Sequence, residues 1–280
     1  MDALIDLHTH SHHSDGTLAP AALVALAAQR GVSLLALTDH DTTAGLDAAC
    51  AAATAADIGF VNGVEITTGW RGQEIHIVGL GIDPDSPELQ RHLAMVVELR
   101  RARITAIGAR LARHPRLQDS GRDLAAEVLA QPAVPTRAHL ARALVAAGMA
   151  ESTQDAFDRW LGRGTAGHVP AEWPGIDTAI AAIRVAGGHA VLAHPQRYKL
   201  SAGALGNLCG EFREHGGAAL EVNLPSMSPN DHDRLARLAR AHGLAGSVGS
   251  DFHEPGLPWR PLGRFAKLPE GIESLHARLG

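Results

Sequence analysis

His8-Thr9-His10 sets two imidazoles two residues apart at the end of a run, Ile5 to His8, that alternates apolar and polar around Leu7. That alternation suits a short strand. On a strand, residues two apart face the same way, so both rings converge on one point. Asp15 follows in the next loop, with Gly16 beside it for a tight turn. Two imidazoles and a carboxylate at a strand end form a corner for a divalent metal ion. Later strand-like runs carry the same residue types: His40 after Thr38-Asp39, Glu65 after Gly63-Val64, His76, His194 before Pro195, and Asp251 with His253. The candidate ligand set is therefore His8, His10, Asp15, His40, Glu65, His76, His194, Asp251 and His253. Nine nitrogen and oxygen donors exceed what one ion accepts. They suit two or three ions that share a bridging carboxylate, and with no thiolate they point to Zn, Mn or Fe rather than a structural Cys-type zinc site.

Alternating strands and helices must position these groups. Ala19 to Arg30 reads as a helix stopped by Gly31, and the apolar run Val32 to Leu37 as a strand buried in a parallel sheet. A helix over Thr43 to Ala56, a strand from Ile58 to Val61 leading toward Glu65, and a strand over Gln73 to Leu80 follow. After a long helix, Ser86 to Leu111, the strand signal stops. Asp123 to Ala130, Thr136 to Ala147 and Thr153 to Leu161 read as short helices, punctuated by His114-Pro115, Pro132, Pro135, Gly148 and Gly162. Residues 100–168 are thus expected to be a helical insertion between two parts of an α/β body, 1–99 and 169–280. Alternation resumes with helices over Asp177 to Ala186, Leu205 to His215 and Asp231 to His242, and strands over His189 to Ala193, Ala218 to Val222 and Leu244 to Val248. In a β/α barrel the strand C-termini surround one mouth, which would gather the nine residues.

With 280 residues the chain can bury a large core, and its net charge of −5 excludes a generally basic nucleic-acid coat. The basic exception is local. Arg100 to Pro170 holds 11 Arg against six Asp and Glu, which suggests a small polyanionic substrate held between a basic segment and a metal-bearing body. Two isolated cysteines, Cys50 and Cys209, favour a reducing, cytoplasmic setting over a disulfide framework. No apolar run reaches the length of a membrane span, and no protein partner is evident.

The ordered motifs His8-x-His10-x₄-Asp15-Gly16, Thr38-Asp39-His40, Gly63-x-Glu65, Ala193-His194-Pro195 and Gly249-Ser250-Asp251-x-His253 resemble those of the PHP (polymerase and histidinol phosphatase) family. The resemblance covers nearly all of the chain outside the insertion. It implies a distorted seven-stranded barrel and a trinuclear metal centre for phosphoester hydrolysis, with Mn the first expectation and Fe or Zn the alternatives. By position, His8, His10, Glu65 and Asp251 would hold the first ion, and Glu65 would bridge to a second held by His76 and His194. Asp15, His40 and His253 would hold the third. Metal-activated water would attack phosphorus in line with the ester oxygen.

The helical insertion resembles that of a bacterial branch that dephosphorylates nucleoside 3′,5′-bisphosphates or trims short RNAs from a 5′-phosphate. Within it, Thr136 reads as an N-cap that places Arg137 in a first helical turn, where backbone donors also favour anions, with His139 beside it. Arg197 and Lys199, after His194-Pro195, add cations near the expected metal mouth. These four residues are the expected substrate contacts. Ordinary packing is the reading for Tyr198, and surface positions for His92, His114, His215, His232, His242 and His276. His12 and His13 fit a polar turn, and Asp39 is expected to orient His40 or a neighbouring ligand. The first expectation is a 3′-phosphatase on nucleoside 3′,5′-bisphosphates, followed by a 5′→3′ exoribonuclease and a histidinol-phosphate phosphatase. Outside that class stand a metal-dependent amide hydrolase and a non-catalytic metal-binding module. The amide reading lacks a well-placed lysine for a carboxylated bridge, since the chain has only Lys199 and Lys267.

Overall fold

The structure, a computed structural model, describes residues 4–257, 259–265 and 267–279. The fold is α/β, built on a seven-stranded, mostly parallel sheet. In chain order its strands are β1 (Leu4–Asp6), β2 (Val32–Leu37), β3 (Gly59–Trp70), β4 (Gln73–Leu80), β5 (His189–Leu192), β6 (Ala219–Asn223) and β7 (Ala245–Val248), and spatial order follows chain order. β1, β2 and β3 run parallel, as do β5, β6 and β7, while β4 is antiparallel to both of its neighbours.

That antiparallel hairpin departs from the simple alternation read in the sequence. β3 runs through Glu65 to Trp70 instead of ending near Val61, and its Gly63–Trp70 part pairs with the whole of β4. The reversal needs two left-handed residues, and Arg71 (φ 47°) and Gly72 (φ 74°) supply them. Consequently Glu65 lies inside a strand rather than at its end, as His76 does within β4.

Each sheet face carries its own apolar set. On one, Leu35, Leu37, Val64, Ile66, Ile75, Ile77, Leu192 and Val222 share a cluster with helix residues, among them Leu23 of α1 (Pro20–Gln29), Leu46 of α2 (Leu46–Ala55), and Ile180 and Leu235 from later helices. On the other, smaller residues from every strand region form a separate cluster, among them Leu7, Ala36, Val61, Val78, Val191, Ala219 and Ala245. Beyond the ends of β1 and β7 the backbones bond directly. Leu7 N–H donates to the Val248 carbonyl (3.1 Å), His10 N–H to that of Phe252 (2.9 Å), and Asp251 N–H to that of His8 (2.9 Å).

The chain divides into two compact units. One comprises the residues up to Leu93 and from Trp173 onward; the other is Ala94–Glu172. Helix α3 (Pro87–Leu111) contributes to both, and the second unit continues with α4 (Pro115–Ser120), α5 (Leu124–Leu129), α6 (Arg137–Ala146) and α7 (Thr153–Ala156), which a π-helical turn extends to Leu161. Sequence reading passed over α4 because Pro115 looks like a breaker; at the first helical position its missing N–H costs nothing. The core of this unit is Ile104, Ile107, Leu111, Leu140, Leu144 and Trp160, whose indole N–H donates to the Met149 carbonyl (3.0 Å). The sheet unit is completed by α8 (Ile176–Val185), α9 (Ala202–Glu214) and α10 (Pro229–Ala241). Among the described residues no helix is long and apolar enough to cross a membrane.

Candidate metal centre

The segment after β1 carries His8 and His10, whose Nε2 atoms lie 3.1 Å apart. A Cβ on Gly249 would sit 2.4 Å from that of His8, so only glycine lets the two segments run this close. Gly16 answers the same need, because a Cβ there would meet the His10 carbonyl oxygen at 2.3 Å. Asp39 holds the intervening turn. It accepts from Ser11 N–H (2.7 Å), Ser11 Oγ (2.6 Å) and Ser14 Oγ (2.6 Å), and Ser14 Oγ lies 3.4 Å from His10 Nδ1. Asp39 therefore orients His10 through a serine, not His40 directly.

Glu65 is the hub. Its Oε2 lies 3.3 Å from His8 Nε2, 3.3 Å from His10 Nε2 and 3.1 Å from His40 Nδ1. Its Oε1 lies 2.9 Å from both His76 Nδ1 and His194 Nε2. Asp251 Oδ1 completes one corner, 3.5 Å from His8 Nε2 and 3.2 Å from His10 Nε2. A second corner forms at Asp15, 3.3 Å from His253 Nε2 and 3.8 Å from His40 Nε2. All nine residues singled out from the sequence thus fall in one cluster.

Three groups within it have donor atoms lying within 4.8 Å of one another: His8, His10, Glu65 and Asp251; His10, Asp15, His40 and His253; and His40, Glu65 and His76. His40 belongs to two groups, one through each ring nitrogen. Glu65 Oε2 is fully buried yet makes no hydrogen bond, although three imidazole nitrogens face it. Ligand atoms about 3 Å apart are what bonds of about 2.1 Å to a shared ion produce, so the donor set fits divalent metal ions.

The protonation tendencies agree. Burial works to raise the Glu65 carboxyl, but His40, His8 and His76 prevail and hold it well below the usual carboxylate range. Asp15, opposed by burial and favoured by His40 and His253, is held down in the same way. Conversely, burial disfavours charge on His10 and His76, yet neighbouring carboxylates raise them to about 9 and about 10. Lowered carboxylates set against raised imidazoles are an arrangement in which a divalent ion can take the place of imidazole protons. Two of the candidate ligands also sit in left-handed backbone, His194 at φ 31° and Asp251 at φ 51°, a strain common where function dictates the side-chain direction.

Some supporting residues escaped the sequence reading. Glu221, buried in β6, lies 2.7 Å from His8 Nδ1 through Oε1 and accepts from His194 N–H (2.5 Å) through Oε2. That contact fixes the His8 tautomer with Nε2 free toward the centre. Its only sequence signal is a lone acid in the apolar run Ala219-Leu220-Glu221-Val222. Asp6, in β1, accepts from Ser250 N–H (2.8 Å) and Gly263 N–H (2.8 Å), and burial raises it to about 6 against those donors. Arg260 lies 3.1 Å from Asp251 Oδ2 and 3.0 Å from His253 Nδ1.

The expected substrate contacts divide between the units. Arg197 pairs with Asp251, while Lys199 is exposed. In the helical unit Thr136 caps α6, the Arg137 guanidinium lies 5.7 Å from the centre of the Phe157 ring, and His139 Nδ1 accepts from Thr136 N–H (3.1 Å). The buried His139 ring therefore closes a capping box. Tyr198 is a packing residue: its hydroxyl accepts from His76 N–H (2.9 Å) and its ring meets the core. His12 and His13 belong to none of the three groups. His92 is a correction, since it is 8% exposed rather than a surface residue, and burial lowers its pKa.

Residues 6–162 match the PHP domain model. The chain is 46% identical to the 5′-3′ exoribonuclease Rnm of Escherichia coli (strain K12), covering 97% of this chain and 92% of that protein. It is 41% identical to the 3′,5′-nucleoside bisphosphate phosphatase of Chromobacterium violaceum, covering 95% and 93%. The structure of an amidohydrolase from Chromobacterium violaceum, with bound sulfate and no metal, superposes with a TM-score of 0.90 at 38% identity, covering 99% of this chain and 96% of that one. Matched over more than half its length by the family model and over nearly all of it by these relatives, the chain belongs to the PHP domain family and is a metal-dependent hydrolase of phosphoester bonds.

Proposed function

We propose that this enzyme removes the 3′-phosphate from nucleoside 3′,5′-bisphosphates, converting adenosine 3′,5′-bisphosphate to AMP and phosphate. The observation that carries the reading is the company Asp251 keeps: it joins the His8, His10 and Glu65 group on one side and pairs with two guanidiniums, Arg197 and Arg260, on the other. A site for several cations beside two arginines is matched to a phosphoryl dianion. In the proposed assignment His8, His10, Glu65 and Asp251 hold one ion, Glu65, His76 and His194 a second, and Asp15, His40 and His253 a third. Nitrogen and oxygen donors without thiolate suit Mn, with Fe or Zn as alternatives. When bound, such ions supply positive charge to the phosphoryl oxygens and a nucleophile from water near neutral pH.

The chain's own residues do the positioning. Glu221 holds the His8 ring and the His194 backbone, and Asp39 holds the serine turn behind His10. Arg197 and Arg260 are the groups that turn toward the equatorial oxygens. Arg137 is the proposed anchor for the substrate's other phosphate, on the donor chemistry of a helix's first turn and the local arginine excess, with His139 and Lys199 as further proposed contacts. The bonds joining the segments beyond β1 and β7 support closure of the sheet into a distorted seven-stranded barrel, with residues 100–168 as its helical insertion. A cytoplasmic setting suits the two free cysteines.

A second reading, 5′→3′ trimming of short 5′-phosphorylated RNA, is favoured by the likeness to the Escherichia coli exoribonuclease. The test is hydrolysis by Mn-reconstituted protein, read as phosphate released from adenosine 3′,5′-bisphosphate, AMP and histidinol phosphate and as mononucleotide released from a 5′-phosphorylated oligoribonucleotide. Release from the bisphosphate with AMP accumulating is the expected result. Cleavage of the oligonucleotide alone would replace the first reading with the second.

A further inference from the structure

Beside the metal centre the sheet unit has a second concavity, a cleft of about 240 Å³ lined by Gln196, Arg197, Ser226, Met227, Trp259 and Arg260 among others. It adjoins the centre through chemistry already described, since Arg197 and Arg260 both pair with Asp251. The cleft therefore shares two guanidiniums with the edge of that centre. The cleft is smaller than the roughly 300–1,000 Å³ that bury a whole drug-sized ligand, and so suits one planar ring.

Three features of the lining specify that ring. Trp259 is 54% exposed, unusual for the largest apolar side chain, and its backbone is held in place by Ser226 Oγ, which donates to the Trp259 carbonyl (3.1 Å). Ser226 itself sits in left-handed backbone (φ 62°), so the loop is shaped around this contact. Gln196 lines the cleft, and its buried Oε1 makes no hydrogen bond, a state that costs free energy unless a donor reaches it. Met227 offers a polarisable thioether, a side chain that adapts to aromatic faces.

We infer that this cleft is the nucleobase subsite: Trp259 stacks on the base, the Gln196 amide hydrogen-bonds its edge, and the adjoining arginines receive the phosphate. The inference rests on the nucleotide reading above and adds what that reading lacks, a place for the base. Stacking on an aromatic face tolerates every base, and its loss costs on the order of tenfold or more in affinity. Gln196 then supplies what base preference there is.

The test compares adenosine 3′,5′-bisphosphate with ribose 3,5-bisphosphate, its base-free counterpart, on metal-loaded enzyme. Wild type is expected to prefer the nucleotide, and Trp259→Ala to lower the ratio of the two kcat/KM values about tenfold, mainly through KM. Trp259→Phe should keep most of that ratio, and Gln196→Ala should alter the ranking of adenine against uracil bisphosphates. An equal fall on both substrates in Trp259→Ala would overturn the inference, leaving Trp259 a structural residue. If wild type hydrolyses neither substrate, the nucleotide reading fails on its own. The cleft is then judged by quenching of tryptophan fluorescence with adenosine: quenching lost in Trp259→Phe supports a base site, and no quenching in wild type removes it.

Discussion

The two units handle charge in opposite ways. In the sheet unit, carboxylates and imidazoles are taken out of water and held against one another, as at Glu65, which is fully buried beneath five rings. In the helical unit Arg122 pairs with Glu127 and Arg159 with Asp155 at the surface. A buried charge must be matched by a partner of fixed geometry, because an unmatched one is costly. A surface charge is screened by salt and contributes little to stability, but it is free to meet an incoming anion. One unit therefore gathers its charges into a buried cluster whose donor set fits cations, whereas the other keeps ion pairs such as these in contact with solvent.

The sharpest way to break this contrast is Glu65→Gln. Removing the hub charge should abolish phosphate release by at least about a thousandfold, since it supports several ligands at once, and should cut bound metal per chain as measured by mass spectrometry. Full metal content with full activity would mean that the buried cluster is not the catalytic centre. Glu221→Gln acts one step back, on the His8 ring and the His194 backbone. It should weaken metal binding about 10- to 100-fold in chelator competition, with the fold intact by circular dichroism.

A pH series on metal-free protein sharpens the comparison. His10 and His76 are raised from 6.5 to about 9 and about 10. Folding therefore gains from their protons fully below pH 6.5, and loses that gain as pH rises through 9 to 10. In EDTA the melting temperature should fall between pH 7 and 10. Bound Mn, which takes the place of those protons, should flatten or reverse the fall; identical profiles with and without metal would separate the ions from these rings. The smallest effect is expected at the surface. Arg159→Ala removes an exposed i,i+4 pair with Asp155 and should cost about 0.5 kcal/mol or less in urea denaturation, with no change in bound metal.

That the nine candidate ligands share one cluster was legible because chemistry restricts the residue types. Few side chains bind a divalent ion, and their placement in strand-like runs pointed to one end of a sheet. The helices were legible from their apolar spacing, and Thr136 from its cap chemistry. Less visible was the β3–β4 reversal, because the turn at Arg71-Gly72 carries only one glycine and the strand runs on past Glu65. His92 was misjudged since its burial depends on packing that no local pattern encodes. Arg260, in a stretch with little periodicity, gave no signal until it was found against Asp251.

By itself, then, the sequence determined which side chains could bind metal, where helices and most strands form, and that the middle of the chain is basic and helical. These follow from residue chemistry and local periodicity. Tertiary structure alone decided that Glu65 faces five imidazoles at once, that His40 serves two ligand groups, that Glu221 stands behind His8 and that a cleft bearing Trp259 opens beside Asp251. Each depends on residues far apart in the chain meeting within a few ångströms, and only the pairing of strands and the packing of their connections sets those distances.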